Sequence, residues 1–327
     1  MHMNWKIYYS FKENAWVIFV LCIMSVIPFG LYAQNDSNRT SNFEIIRKGE
    51  IITLVKYTGN DSSLNFSLNE QLADITHIGD KAFAENKKIK KIILPESLIY
   101  IGNNAFVNCS NLEYVYIPKR LHRIGDGAFA TTKITLDSLP SSVEYIGRFS
   151  FWACDSVCIR RLPAAISSIH DHTFVKNIAL SSVHIGSNVK YIGVKAFSLC
   201  RNLKELTFDE GCVEIDTAAF VANQSLEKLY LPNSMQYIRY RAFKDSRLLK
   251  ELHLPVSLVE IGDEAFANCL GIQDIYIPAL HPPKLGIDVF PSHVRIHIPQ
   301  STDGHVEKEY RDKGWGHYSL ISDIKAE

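Results

Sequence analysis

Seven cysteines stand in this 327-residue chain, beside fifteen tyrosines and twelve histidines. A cysteine thiolate is a nucleophile, a metal ligand or half of a disulfide. A histidine pair with an acid between it, "HDH" at His170–His172, has the residue types of a metal site. The stretch "IGNNAFVNCSNLEYVYIP" (Ile101–Pro118) holds Cys109 with Tyr114 and Tyr116 on either side of a valine. What each of these residues can do depends on the elements that carry it.

Those elements repeat. Phenylalanine recurs at Phe83, Phe106, Phe129, Phe151, Phe174, Phe197, Phe220, Phe243, Phe266 and Phe290, in steps of 23 with one of 22 and one of 24. Five residues earlier stands isoleucine in nine copies and Leu285 in the tenth, usually followed by glycine. Twelve residues later a proline often closes a short apolar run such as "IILP", "VYIP" or "IYIP". A period near 23 lies in the leucine-rich-repeat range. One such copy cannot bury its own apolar face, whereas a stack of copies buries a continuous core. The expected fold is therefore an α/β-poor repeat solenoid: a right-handed leucine-rich-repeat solenoid with one short parallel strand per repeat of about 23 residues. "LEYVYI" (Leu112–Ile117) is an example of that strand.

The repeat changes how the cysteines read. Three residues after the marker phenylalanine stand Asn86, Cys109, Thr132, Cys154, Asn177, Cys200, Asn223, Ser246 and Cys269. This is one column of small hydrogen-bonding residues, suited to backbone groups inside a stack. Its cysteines never occupy adjacent turns. With turns about 4.8 Å apart, two turns exceed the ~7 Å that a disulfide spans between Cα atoms. Cys212 falls in an apolar column with Leu98, Leu121, Val143, Ile166, Val189, Met235 and Leu258. Only Cys158 falls at an outward place, so disulfides are not expected and a reactive thiol only there.

Side chains alternate along a strand. Leu112, Val115 and Ile117 therefore point inward, and Tyr114 and Tyr116 outward. The outward column ten after the marker reads Ile93, Tyr116, His184, Thr207, Tyr230, His253 and Tyr276, with His297 added by aligning on the closing proline. Eight after the marker stand Lys91, Tyr114, Ser182, Glu205, Lys228, Glu251 and Asp274. Tyr114, Tyr116, His184, Tyr230, His253, Tyr276 and His297 form the candidate ligand-binding face, because repeat proteins bind along extended surfaces and tyrosine favours interfaces. Cross-strand packing alone also places tyrosine and histidine on a sheet surface. His184, His253 and His297 are not in adjacent turns and close no metal site. His170 occupies the glycine place of its repeat, so "HDH" is weak evidence for metal.

Two turns depart from the pattern. "ITLDSLP" (Ile134–Pro140) and "VCIRRLP" (Val157–Pro163) put Asp137 and Arg160 where an apolar residue normally faces inward. Burying such charges is costly. Distorted strands are expected over residues 134–162, with Leu136 and Ile159 turned inward.

Net charge is zero, which does not favour nucleic acid as a partner. Residues 81–125 nevertheless hold eight lysines and arginines against three acids, and residues 203–279 hold seven against twelve. Lys87, Lys88, Lys90, Lys91, Lys119, Arg120 and Arg123 form a possible polyanion patch. No HExxH, GxSxG, phosphate-binding glycine loop or CxxC occurs. No catalytic residue, metal or cofactor is expected, and no enzyme.

The run "AWVIFVLCIMSVIPFGLYA" (Ala15–Ala33) is apolar and uncharged, and is followed by polar "QNDSN". It reads as a secretory signal peptide cleaved near Ala33, with an uncleaved anchor as the alternative. The expected organisation is a signal peptide over 1–33, an N-terminal cap over 34–75, about ten repeats over 76–299 and a C-terminal cap over 300–327. Helical potential lies around Val306–Lys313, and Trp315 and Tyr318 could cover the last open edge.

The pattern IGxxAFxxCxxLxxIxLPxSL, clearest in Ile101–Leu121, Ile192–Phe208 and Ile261–Pro278, resembles leucine-rich repeats of the BspA type. Phe43–Asn60 is similar to the hairpin cap that precedes such arrays, and the stretch from Pro282 to Ile321 to their C-terminal cap. The resemblance implies an exported bacterial protein at the cell surface, secreted or in the periplasm, and not integral to the membrane once cleaved. It implies a binding or adhesion role with a protein ligand of the host or its matrix. A glycan or polyanion ligand, or a purely structural place in the envelope, are the alternatives.

Overall fold

The computed structural model describes residues 42–325; the expected signal peptide over 1–33 lies outside them. The described chain opens on an antiparallel hairpin of Phe43–Lys48 and Ile51–Tyr57, turned at Gly49 with φ 58°. From His77 onward it winds into a β-solenoid whose turns repeat the marker spacing read in the sequence.

Each turn has three sides. One carries the expected strand, such as Lys91–Ile93, Tyr114–Tyr116 or Asp274–Tyr276, paired in parallel with its neighbours. A second side adds a strand that alternation alone does not reveal, only two residues long: His77–Ile78, Tyr100–Ile101, Arg123–Ile124 and their successors, also parallel. The third side is an arc around the marker phenylalanine. There the N–H groups two before, at and two after the marker donate to the next turn, as Lys81 to Asn103 O, Phe83 to Ala105 O and Glu85 to Val107 O, at 2.8–2.9 Å.

This arc needs left-handed backbone twice per turn. Lys81 and Glu85, Asn104 and Asn108, and Lys195 and Leu199 all have φ between 54° and 62°. Gly127 (φ 62°) is the only glycine in the series. The inter-turn bonds over-determine a conformation that would cost an ordinary residue about 1–2 kcal/mol.

The arc also aligns the core. Phe83 to Phe290 form a continuous ring stack with centroids 4.9–5.7 Å apart. Tyr57 extends it at the front, 5.1 Å from Phe83, and its N–H donates to Ala82 O as a preceding phenylalanine's would. At the back, the N–H of Phe290 has no further turn to bond. It donates instead to the Tyr318 hydroxyl at 3.1 Å. Trp315 packs 6.1 Å from Phe290, fully buried, and donates from Nε1 to Pro283 O. The helix foreseen near Val306–Lys313 spans His305–Asp312, and a closing strand Ser319–Ile324 pairs with Arg295–Pro299.

Over residues 134–162 the expected strand side falls to isolated bridges, Leu136 to Val157 and Arg161 to His184. Ile159 is buried, Leu136 half-buried, and Asp137 and Arg160 are exposed. The charges turn out and the aliphatic residues turn in because desolvating them would cost more than the lost ladder.

Candidate ligand-binding face

The thiols belong to the scaffold. Cys109, Cys154, Cys200 and Cys269 are fully buried and donate to the carbonyls of Phe83, Phe129, Phe174 and Phe243 at 3.0–3.2 Å. Asn177 Nδ2 does the same for Phe151 O at 2.8 Å. Burial pushes the thiols of Cys109, Cys200, Cys212 and Cys269 up to about 12. Cys158 is half-buried beside the irregular strands. The "HDH" histidines pack against rings rather than toward one another. His170 lies 5.0 Å from Tyr145 and His172 lies 4.4 Å from Phe149, and desolvation lowers both pKa values.

The seven residues of the expected face fall in three groups, because the strand side is interrupted twice. Its strands form separate sheets: one holding Lys91–Ile93 and Tyr114–Tyr116, one running from Ser182–Ile185 to Lys228–Leu229, and one from Glu251–His253 to Ser319–Ile324. In the first, Tyr114 is exposed with Lys91 Nζ 5.2 Å over its ring, and Tyr116 donates to Glu96 at 2.7 Å. In the second, His184 contacts Thr207 Oγ1 at 2.9 Å and Asp209 at 3.2 Å, and Tyr230 stands just past the last strand, 57 % exposed.

The third group is brought together. His253, Tyr276 and His297 occupy consecutive rungs, with ring centroids 4.6 and 4.5 Å apart. His253 also touches Glu251. His297 is held between Asp274 at 3.1 Å and Asp323 of the closing strand at 2.8 Å, and Arg295 grips Asp274 through two bonds of 2.7 Å. Burial opposes charge on the His297 imidazole, but its two carboxylate bonds outweigh that and hold its pKa above the ordinary value. The bond from Arg295, then that from His297, lowers the pKa of Asp274. His297 thus fastens the closing strand, while His253 and Tyr276 remain toward solvent.

Beside this stack lies a depression of about 350 Å³, lined by Leu231, Leu254, Pro255, Tyr276, Pro278 and Ile324 among others. Sequence reading missed it, since Ile324 comes from the closing strand. Ten residues before the marker, earlier turns carry Glu96, Lys119, Ser141, Ala164, Ser187, Glu210 and Asn233, and the last two carry Val256 and Leu280. These two are 60 % and 50 % exposed.

The seven basic residues are spread around two turns. Lys87, Lys88 and Lys90 precede the strand that begins at Lys91, Lys119 and Arg120 lie in the following connection, and Arg123 is on the two-residue strand. Arg123 lies 3.6 Å over the Tyr145 ring. Among the described residues no ion pair occurs before Arg148, whereas the later turns are laced with them, as in Arg239 with Glu214 and Glu260. No helix among the described residues is long and apolar enough to cross a membrane.

The sequence family described as "BspA type Leucine rich repeat region (6 copies)" matches residues 33–158, 76–192 and 167–293. Among solved structures, a leucine rich cell surface protein from Faecalibacterium prausnitzii is 19% identical, with 91% of this chain and 100% of that chain covered and a TM-score of 0.45. The pneumococcal vaccine antigen PcpA is 18% identical, with coverage of 86% and 97% and a TM-score of 0.48. A leucine-rich repeat protein from Bacteroides ovatus is 18% identical, with coverage of 90% and 100% and a TM-score of 0.34. No curated protein matches the chain.

Proposed function

Since the chain belongs to the BspA-type leucine-rich repeat family, we propose that it is an exported, non-catalytic module that binds a protein ligand, acting in adhesion to a host or matrix protein. The apolar run Ala15–Ala33 supports export to the surface, the periplasm or the medium. The observation that carries the binding role is the depression lined by Leu231, Leu254, Pro255, Pro278 and Ile324 together with His253 and Tyr276; Tyr230, Val256 and Leu280, each next in sequence or two residues from a lining residue, are exposed. A concave apolar surface is a common interaction site, and tyrosine is a frequent anchor at such surfaces. Replacing Tyr230 and Tyr276 with serine should weaken a protein ligand found in a matrix-protein screen by tenfold or more, about 1.4 kcal/mol. Unchanged affinity would overturn this reading.

A second reading rests on the absence of ion pairs among the described residues before Arg148. Lysines and arginines without an acidic partner there would hold a glycan or other polyanion. A glycan array read at two salt concentrations separates the readings. Exposed charge contacts weaken steeply with salt, and contacts in the depression do not.

A further inference from the structure

The solenoid is not equally joined along its length. In the short-strand side, the residue after each strand donates to the previous turn: Gly102 to Ile78 O, Gly125 to Ile101 O, Gly147 to Ile124 O and Gly193 to Ile169 O, at 2.8–2.9 Å. His170 stands in the same place and makes no such bond to Ile146. One sheet accordingly ends with Tyr145–Ile146, and another begins with Ser168–Ile169. A side chain at the glycine place is not the cause, because Asp216 and Arg239 stand there and keep bonds of 2.9 Å to Ile192 O and Ile215 O. The step follows the 22-residue repeat, the one turn that is a residue short.

On the other strand side the same two turns share one backbone bond, His184 N to Arg160 O at 2.8 Å. Only the arc is unbroken, through Phe149 to Asp171 O, Phe151 to Thr173 O and Ala153 to Val175 O. The ring stack is widest nearby, at 5.7 Å for Phe129–Phe151 and 5.5 Å for Phe151–Phe174. Every other step of the phenylalanine column lies between 4.9 and 5.4 Å. Ser150 Oγ and His172 Nδ1, on the two turns concerned, are buried without a partner.

We propose that the molecule is two stiff segments joined by a hinge between the Ile146 and Ile169 turns, flexing about the phenylalanine arc as a spine. Tyr114 and Tyr116 lie on one segment, and Tyr230, His253 and Tyr276 on the other. Flexing changes the distance between the two strand faces while leaving each intact. Side chains span the seam, with Arg148 3.5 Å from Asp171 and the Phe149 and His172 rings stacked next to the spine, and the Tyr145 and His170 rings 5.0 Å apart beside the short strands. On the short-strand side they are side-chain contacts alone, without the backbone ladder bond of the other turns.

The test places nitroxide labels on exposed positions of one column, in a chain with Cys22 and Cys158 replaced by serine. Glu96→Cys with Ser187→Cys spans four turns across the seam. Ser187→Cys with Leu280→Cys spans four turns beyond it, so both mean separations are near 19 Å at about 4.8 Å per turn. The distance distribution across the seam should be about twice as wide as the control. Equal widths overturn the hinge. Independently, the amides of Ser167 and His170 should exchange at least about tenfold faster than those of Lys190 and Gly193. Equal protection at the two places overturns the seam itself.

Discussion

At the scale of single residues, the third position after each phenylalanine shows how function-like chemistry is absorbed by structure. Removing Asn177 Nδ2 takes away the donor that reaches Phe151 O, so Asn177→Ala should cost roughly 1–3 kcal/mol, measured as a drop in the denaturant midpoint. The thiols carry a pH prediction. Their folded pKa near 12 lies above the ordinary 9.0, so the unfolded chain loses protons first as pH rises. Their contribution to stability is whole below pH 9 and is lost between there and about 12. A native-state thiol titration should find at most one fast group among the described cysteines, Cys158; two or more would contradict the buried column. Left-handed backbone makes a further prediction with an internal control. Ala222 has φ 60°, so Ala222→Gly should stabilise by up to about 1 kcal/mol. Ala219→Gly, three residues earlier at ordinary φ in the packed core, should destabilise.

At the scale of elements, the repeat was legible because ten copies average away local noise. The phenylalanine stack, the small-residue column and the outward tyrosines all follow from register. The two-residue strands were not legible, since "YI" or "EI" is too short to show a period. The left-handed arc was hidden because glycine, its usual sign, appears there once. The strand break between Leu229 and Glu251 left no mark, as the step across it is a regular 23. Within the candidate face, alternation placed Tyr114 and Tyr276 outward. It could not tell that Asp323, far along the chain, would claim His297. That claim has a measurable consequence. The folded pKa of His297 is raised, so its contribution is full below about 6.5 and is lost as pH rises through the folded value. Amides of Ser319–Ile324 should be better protected at pH 5 than at pH 8, and His297→Gln should abolish the difference.

At the scale of the whole molecule, stability is close to a sum of turn and interface terms. Excising one complete 23-residue turn, residues 193–215, preserves the register of every column and should leave a folded, shorter solenoid by circular dichroism. Removing residues 300–325 takes away the Tyr318 hydroxyl, Trp315 and the closing strand together. It bares an unpaired edge and should produce aggregation visible by light scattering. The turns are also loaded in series. A pull along the solenoid axis meets them one after another, each only about 4.8 Å tall yet storing 23 residues of chain, roughly 80 Å when drawn straight. A tether anchored at one end would therefore yield in steps of that length, paying out more than ten times its own height per turn while the turns behind it stay wound.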